Sequence, residues 1–456
     1  MLEAQFPDTV ETQPELLARH ITEAGLVAPA IGYWRQAGAR ARRRSAEVEA
    51  ARHFRRALAL AASLPDPRER DELELDLCIE LGGALVATSG YGGDECRDLF
   101  ARARTLCDRL QDANPKLFPV LYGHWVYEHV NGRLTNSIGL AEQFLSQAEC
   151  AADRALEMIG HRLVGFTLLA RGRADLALPH LRCALTAYDP TRDTPLAYVY
   201  GQNPKVGALM GAGMALGHLG FPDEAARTVR QGLDEARMLA HSNTLAWALF
   251  HASLFHLLRR DLVAAEELAG ELMAIAREQG ALFWATRGRA LLSCARAGRT
   301  ASTDNLAQLR QNLEAIDAET SWRVFTPCIV VVAAEILCTS GDIHGGLRLL
   351  EDMQPWVEHW EQRLAEAEGY RVRADLLLTT AAGEAEADLF RAIDVARGQS
   401  AKTFELRAAT SLARLWRHDK RQEAHDLLAS VYDWFTEGFD TPDLRSAKAL
   451  LDELGE

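Results

Sequence analysis

The sequence predicts an all-α fold, a right-handed α-solenoid of stacked helical hairpins, and three observations lead to this prediction. The composition is rich in Ala, Leu, Arg and Glu, residue types that favour helices, and 48% of the residues are hydrophobic. A break of Gly or polar residues recurs at an interval of about forty residues over most of the chain. Between the breaks, apolar residues follow the helical spacing i, i+3, i+4 and i+7.

The breaks divide the chain into units of two amphipathic runs, which we interpret as antiparallel helix pairs. Successive breaks are 40, 48, 40, 38, 43, 42 and 36 residues apart. A glycine at a break can adopt the left-handed conformation that ends the first helix of a pair. The eight breaks are Gly132, Gly172, Gly220, Arg260, Gly298, Gly341, Gly383 and Asp419.

Small residues keep a fixed distance from the breaks, so the two helices of a pair are expected to cross closely at these positions. Large apolar side chains then fill the space between pairs, and neighbouring pairs must stack to bury them. The small residues five positions after a break are Ser137, Ala177, Ala225, Ala265, Gly346 and Ala424, and those seven positions before one are Gly165, Gly213, Ser253 and Ala334.

The predicted organisation has three parts: a helical segment at 1–45, a solenoid of about ten hairpins at 46–438 and a capping helix within 439–456. The best-marked pairs are predicted at 115–132 with 134–152, 154–171 with 174–188, 205–219 with 222–240, 244–260 with 262–279, 282–297 with 303–318, 322–340 with 343–360, 364–382 with 385–398 and 403–417 with 421–435. Upstream helices are predicted at 14–24, 28–44, 46–64, 68–88 and 94–111. The pair after Gly298 is expected to be irregular, since polar Thr300-Ala301-Ser302 loosens its turn.

One interval is longer than the others because of an insertion at residues 189–204. Pro190, Pro195 and the dipeptide Asn203-Pro204 break helical continuity there. Insertions in solenoids often lie on the binding face. Tyr198 and Tyr200 therefore have two interpretations, as contacts for a partner or as a cover for a helix end.

Charge, cysteine usage and hydropathy exclude several classes of function. The formal net charge is −14, which disfavours general binding to nucleic acid or to an anionic membrane. The basic run at 40–44 is expected to be a solvated helix face or a contact with an acidic module. The eight Cys lack metal-site spacing, and neither a signal peptide nor a span is predicted, so a cytoplasmic location is expected.

The sequence contains no pattern of catalytic, cofactor-binding or metal-binding residues. It has no Gly-Lys dipeptide, and hence no P-loop, and neither H-E-x-x-H nor G-x-S-x-G occurs. His124 and Glu128 share a helix face without a third ligand, and His251 and His256 point apart. No enzyme activity and no cofactor are therefore predicted for this chain.

The aromatic residues give the candidate binding surface. Trp247 and Trp284 lie 13 and 14 residues before their breaks, which is first a pattern of packing between repeats. If they face the concave side instead, they form an apolar and cationic groove suited to a peptide or helix. The candidate partner-binding residues are Trp125, His129, Tyr198, Tyr200, Trp247, His251, Trp284, Arg287, Trp322 and Arg323.

Several segments resemble the C-terminal tetratricopeptide-like (TPR-like) repeat region of bacterial proteins that carry a class III adenylate/guanylate cyclase domain and an AAA-type or STAND-type ATPase. The resembling segments, which are spread over nearly the whole chain, are 30–38, 89–92, 200–204, 406–415, 438–444 and 447–451. The cyclase aspartates and the Walker motifs of those proteins are missing, so no catalytic residue carries over. The resemblance implies that residues 1–45 are similar to the tail of the ATPase module.

The leading expectation is thus a non-catalytic scaffold or sensor module that binds a protein or peptide. The resemblance implies signalling linked to a cyclase or STAND ATPase. The alternative is a regulatory repeat domain that senses a small molecule, similar to those of ATP-dependent transcription activators.

Overall fold

The computed structural model describes residues 14–44, 46–89, 93–110, 114–318, 323–378 and 381–455, and all regular secondary structure in these ranges is helical. The first part contains α1 (Pro14–Glu23), α2 (Val27–Arg43), α3 (Glu47–Ala61), α4 (Pro67–Ser89) and α5 (Asp94–Leu110). The middle part contains α6 (Asn114–Val130), α7 (Leu134–Ala151), α8 (Arg154–Ala170), α9 (Ala174–Ala187), α10 (Pro190–Asp193), α11 (Leu196–Tyr200), α12 (Pro204–Leu219), α13 (Pro222–Met238), α14 (Ser242–Leu258) and α15 (Leu262–Glu278). The last part contains α16 (Leu282–Arg299), α17 (Thr303–Ala318), α18 (Thr326–Thr339), α19 (Ile343–Trp360), α20 (Glu366–Leu377), α21 (Ala382–Gly398), α22 (Lys402–Trp416), α23 (Arg421–Tyr432) and α24 (Pro442–Gly455).

Consecutive helices pack as antiparallel hairpins, and each hairpin packs on the next, so the predicted TPR-like solenoid is confirmed. Most predicted helix ends agree with the structure to within a few residues. The largest differences are at α18, which begins at Thr326 instead of residue 322, and at α20, which ends at Leu377 instead of residue 382. The insertion contains two short helices, α10 and α11, which the sequence did not predict.

The small residues on either side of a break face each other across four hairpins, as predicted. A Cβ atom on Gly213 would lie 3.3 Å from the carbonyl oxygen of Ala225, and one on Gly165 would lie 3.2 Å from that of Ala177. In the next hairpin the hydroxyl of Ser253 donates a 2.9 Å hydrogen bond to the corresponding carbonyl. The helices therefore cross at backbone distance, which larger side chains would prevent.

The left-handed conformation is found at five of the eight breaks and not at the other three. Gly132, Gly172, Gly220, Arg260 and Gly341 have φ between 64° and 96°. Gly298 instead continues α16 as far as Arg299, Gly383 lies in the first turn of α21, and Asp419 lies in a turn. The expectation of a left-handed glycine was wrong at Gly298 and Gly383, because each of them lies within a helix, whereas Asp419 lies between α22 and α23 as expected for a break.

The superhelix closes on itself, so that a later turn covers the inner face of an earlier one. The backbone N–H of Arg323 donates to the carbonyl of Val130 (2.7 Å), and that of Arg363 donates to the carbonyl of Ala170 (3.1 Å). These carbonyls lie at the C-terminal ends of α6 and α8, where no helical partner exists. The hydroxyl of Thr403 satisfies the carbonyl of Gly217 in α12 in the same way (2.7 Å).

A cluster of charged side chains connects α14 to the C-terminal helices. Glu368 accepts hydrogen bonds from Arg371 (2.8 Å) and Arg407 (2.9 Å), and all three side chains are buried. Arg407 also donates to Asp443 and to the carbonyl of Leu258, at the end of α14. The surrounding arginines hold the pKa of the Glu368 carboxyl well below its usual range, despite burial, which acts in the opposite direction.

Candidate functional site

Most of the aromatic and cationic residues selected from the sequence face the interior of the closed superhelix. The buried ones, each at most 7% exposed, are Trp125, His129, Tyr200, Trp247, His251, Trp284 and Arg287. Tyr198 is 38% exposed, and Arg323 is partly exposed with its guanidinium 5.9 Å from the ring centroid of Trp356. Trp322 lies outside the described residues. The burial favours the core-packing interpretation, and a role of these residues in partner binding stays a prediction.

The tyrosines of the insertion separate into a packing residue and a surface residue. The ring of Tyr200 packs edge-on against Tyr122 (centroids 4.7 Å apart), whose hydroxyl donates to the carbonyl of Tyr200 (2.7 Å). Tyr198 keeps part of its ring in solvent and contacts His241. Asn203 positions the end of the insertion, because its side chain caps α12 by accepting from the backbone N–H groups of Lys205 and Val206.

The basic run of α2 forms ion pairs within the N-terminal part. Arg42 is paired with Glu47 (3.3 Å), and Arg44 lies 3.7 Å from Glu49. Of the two open interpretations of this run, these pairs favour an ordinary helix surface. The structure does not test the predicted boundaries at residues 45 and 438, which stay predictions.

Four of the selected residues surround a small internal cavity of about 30 Å³, which we call the inner cavity. Its lining comes from α6, α8, α14, the insertion and the start of α18, and consists of Trp125, Val126, His129, Val130, Arg162, Phe166, Gln202, Trp247, His251 and Phe325. The Trp125 indole donates to Thr167 (2.9 Å), and the ring of His129 stacks on the indole (4.6 Å). These contacts hold the side chains of Trp125 and His129 in place in the lining.

Both histidines of the inner cavity are neutral near pH 7. Burial lowers the pKa of His129 to about 3 and that of His251 to about 4. The charges of nearby groups, Arg162 among them, lower the pKa of His129 further. His251 hydrogen-bonds through Nδ1 to the carbonyl of Trp247 (2.9 Å), which makes Nδ1 the protonated nitrogen of the neutral ring. The only charged side chain of this lining is therefore Arg162, which the sequence analysis did not select.

A second, larger opening lies between α17 and α19, and we call it the cleft. Its volume is about 650 Å³, within the range of sites that bind ligands. Helix α17 barely touches α18, whereas the corresponding helices of the other hairpins pack closely. The apolar side chains that this leaves around the cleft are Leu313, Ile316, Val330, Leu337, Leu349 and Met353.

Charged side chains lie along the rim of the cleft. Arg310 of α17 bridges to Asp342 at the start of α19 (2.6 Å), and the Asp342 carboxylate also accepts from the backbone N–H of Gly345. Both contacts hold the pKa of Asp342 below its usual value. Glu314, Arg348 and Asp352 complete a rim of mixed sign. The cleft has no sequence signal, because the turn at 300–302, where an irregular hairpin was expected, joins α16 and α17, which pack against each other as in other hairpins.

The described residues show neither a membrane span nor a metal centre. No helix in this part of the chain is both long and apolar enough to cross a bilayer. No group of three or more His, Cys, Asp or Glu side chains in it is arranged to hold a metal ion.

Comparison with known proteins gives one curated relative of low identity and several solved structures with TM-scores below 0.5. No family model matches the sequence. An uncharacterized protein of Rhizobium meliloti (strain 1021) is 23% identical over 414 residues, which are 89% of this chain and 39% of the relative. The chain thus spans about two fifths of the length of the curated relative that it matches.

Two solved structures are similar over most of their length. A Rap protein complexed with competence and sporulation factor has a TM-score of 0.45 and 13% identity, with 94% of this chain and 99% of that chain covered. Aspartyl phosphate phosphatase F from Bacillus subtilis has a TM-score of 0.41 and 10% identity, with 81% and 95% covered. The class of this chain, an α-solenoid of TPR-like hairpins, follows from its own helix pairs.

Proposed function

We propose that the chain is a non-catalytic, cytoplasmic repeat module that binds an amphipathic helix of a protein partner in the cleft. The observation that carries the proposal is the separation of α17 from α18, which leaves apolar faces of three helices around an open space. An amphipathic helix is the occupant that fits best, because it would restore the helix packing that is complete in the other hairpins.

The chemistry of the cleft defines the partner segment further. Of its lining side chains, Leu313 and Met353 are buried, while Val330 and Leu349 are only partly buried. Apolar residues at i, i+3 or i+4 and i+7 of the partner would contact these side chains. The rim carries both signs of charge, so the polar flanks of the partner helix are expected to carry both signs too.

Site-specific crosslinking tests the proposal. A photo-crosslinking amino acid in place of Leu349 is expected to capture one partner in the source cells, through a segment with helical apolar periodicity. The same substitution at Leu176, a 45% exposed leucine of α9, is the matched control. Capture should be lost when Leu313→Asp is combined with the Leu349 crosslinker. Capture of the same partner from Leu176, or no partner at Leu349, would contradict the proposal.

The link to a cyclase or STAND ATPase is the finer part of the proposal. It is supported by the sequence resemblance, and the curated relative extends well beyond the matched region, as expected if the repeats work beside other domains. Sequencing of the crosslinked segment tests this link directly, since an origin in a protein without an ATPase or cyclase domain would contradict it.

The alternative function, sensing of a small molecule, is favoured by a different observation. The inner cavity is lined by aromatic side chains and by one buried charged side chain, which are properties of a site for a small polar ligand.

A further inference from the structure

Arg162 is a buried guanidinium without a counter-charge. It lies in α8 with 1% of its surface exposed, and Nε, Nη1 and Nη2 have no hydrogen-bond partner. No carboxylate of the described residues forms an ion pair with it. The guanidinium carbon lies 5.5 Å from the ring centroid of Tyr122, a cation–π contact.

The energetic balance of this arrangement is unfavourable without a ligand. Arginine stays protonated in proteins, and burial of an unpaired ion is strongly unfavourable. A single cation–π contact offsets only part of that cost. The buried Arg371 and Arg407, by contrast, are paired with carboxylates. The environment of Arg162 therefore lacks an anion.

The chain leaves space and donors for that anion in the inner cavity. Gly207 of α12 lies behind Arg162, where a Cβ atom would come within 3.2 Å of Nη1, so the absence of a side chain gives the guanidinium its position. His129 Nδ1 and Gln202 Oε1 are also buried without partners. Neutral His129 can donate from Nδ1, and a half-turn of the Gln202 amide presents its NH₂ group to the cavity.

We propose that the inner cavity binds a small carboxylate, of the size of formate or acetate, as the counter-ion of Arg162. The planar guanidinium fork matches a carboxylate through two parallel hydrogen bonds, a geometry that a spherical halide does not use. The cavity volume of about 30 Å³ holds two or three water-sized groups, which corresponds to a carboxylate head. This inference identifies the ligand class for the sensing alternative and is independent of the cleft.

The position of the site couples the ligand to the closure of the superhelix. Phe325, which precedes α18, packs edge-on against His251 (5.6 Å) and His129 (6.4 Å) and closes the cavity from the later turn. Gln202 approaches it from the insertion. A bound carboxylate would thus contact or adjoin residues of both turns and stabilise the closed form.

Thermal unfolding of the full chain tests the site. In chloride-free buffer at constant ionic strength, saturating sodium formate or acetate is expected to raise Tm by about 3 °C, and calorimetric titration should give one site per chain. The control salts are sodium sulfate and sodium chloride. Stabilisation by chloride but not by formate or acetate would overturn the carboxylate assignment, and no anion dependence would overturn the site.

Variants of Arg162 locate the effect. Arg162→Met should abolish formate binding, whereas Arg154→Met, at an exposed arginine of the same helix, should leave it unchanged. Arg162→Lys keeps the charge but loses the planar pair of donors, so it should weaken formate binding at least tenfold. If the methionine variant does not fold, the lysine variant still tests the site. Unchanged formate binding in Arg162→Lys or Arg162→Met would overturn the proposal. Loss of the cleft partner would leave all these results unaffected.

Discussion

Gly213 lies where α12 crosses α13, and its lack of a side chain determines the distance between the two helices. A Cβ atom there would come within 2.4 Å of Val229 Cγ2 and 3.3 Å of a backbone carbonyl. The side chain of valine has few rotamers in a helix, so this clash could be relieved only by a movement of the helix itself. The same arrangement recurs at Gly165, which indicates a general requirement of the hairpin.

We expect Gly213→Ala to lower the free energy of unfolding by about 1–3 kcal/mol, the usual range for overpacking in a core. The matched control is Gly270→Ala in α15, where nothing lies within 4 Å of the added methyl group. That variant should gain about 0.5–1 kcal/mol from helix propensity. Urea denaturation of both variants measures the difference. A stabilised Gly213→Ala variant would show that the helices separate without cost.

The buried histidines make stability depend on pH. Burial lowers the pKa of His218 to about 4, and those of His241 and His251 to similar values. Between about pH 6.5 and pH 4 the unfolded chain binds protons at these positions and the folded chain does not, so the free energy of unfolding falls as pH falls. The contribution of one such residue is present above pH 6.5 and is progressively lost below it.

Replacement of His218 by Leu should make the chain less sensitive to acid. From pH 7 to pH 5 the variant is expected to lose roughly 2 kcal/mol less unfolding free energy than the wild type, because one fewer proton binds on unfolding. Denaturant titration at a series of pH values measures the slope. His344→Gln, at an exposed position, is the control. Equal slopes for the wild type and His218→Leu would show that His218 does not contribute.

At the scale of helices, the cap formed by Asn203 determines where the insertion ends and α12 begins. Asn203 is fully buried, accepts from Lys205 N and Val206 N (3.0 and 3.2 Å) and donates to the Tyr188 hydroxyl (3.1 Å). Pro204 follows at the first helical position, where its missing N–H costs nothing. Together these contacts begin α12 at a defined residue after an irregular segment.

Asn203→Ala should therefore destabilise the protein by about 2 kcal/mol, through loss of the cap and of a buried hydrogen bond. Asp189→Ala is the control, because Asp189 caps α10 with the same two hydrogen bonds. Helix α10 is only four residues long, and Asp189 is exposed. The cost of Asp189→Ala is expected to be about 0.5 kcal/mol. Equal losses in chemical denaturation of the two variants would contradict the structural role assigned to Asn203.

How far the sequence predicted the structure also differs between elements. The helix pairs followed from apolar periodicity and breaks, because both are local properties of the chain. Even Ile329-Val330-Val331-Val332, a run of β-branched residues, lies inside α18, since tertiary packing outweighs its weak helix propensity. The contact of Arg323 with Val130 could not be predicted, because nothing local marks a pairing between such distant residues. Arg162 could not be selected from the sequence for the same reason, because the residues that surround it come from distant segments of the chain.

At the scale of the whole molecule, closure determines which surfaces a ligand can reach. The concave face expected to bind a partner is largely covered by the later turn, through contacts at the ends of α6, α8 and α12. The cleft stays accessible, whereas the side chains that line the inner cavity are buried. The charged cluster at Glu368 is the part of the closure that a single substitution can test most directly.

We expect Glu368→Gln to lower the free energy of unfolding by about 3–5 kcal/mol, because it leaves Arg371 and Arg407 buried with less compensating charge. The control, Glu266→Gln, removes a carboxylate that pairs with Arg296 and Arg299 at the surface, and should cost roughly 0–1 kcal/mol.

The cluster joins α14 to α24 through Arg407, so the loss of stability in Glu368→Gln should be accompanied by opening of the superhelix. Opening should increase the radius of gyration in small-angle X-ray scattering. Formate at saturation should partly reverse that increase if the inner cavity holds a carboxylate in the closed form. An unchanged radius of gyration together with a large loss of stability would mean that the cluster stabilises the C-terminal helices alone and does not hold the turns together.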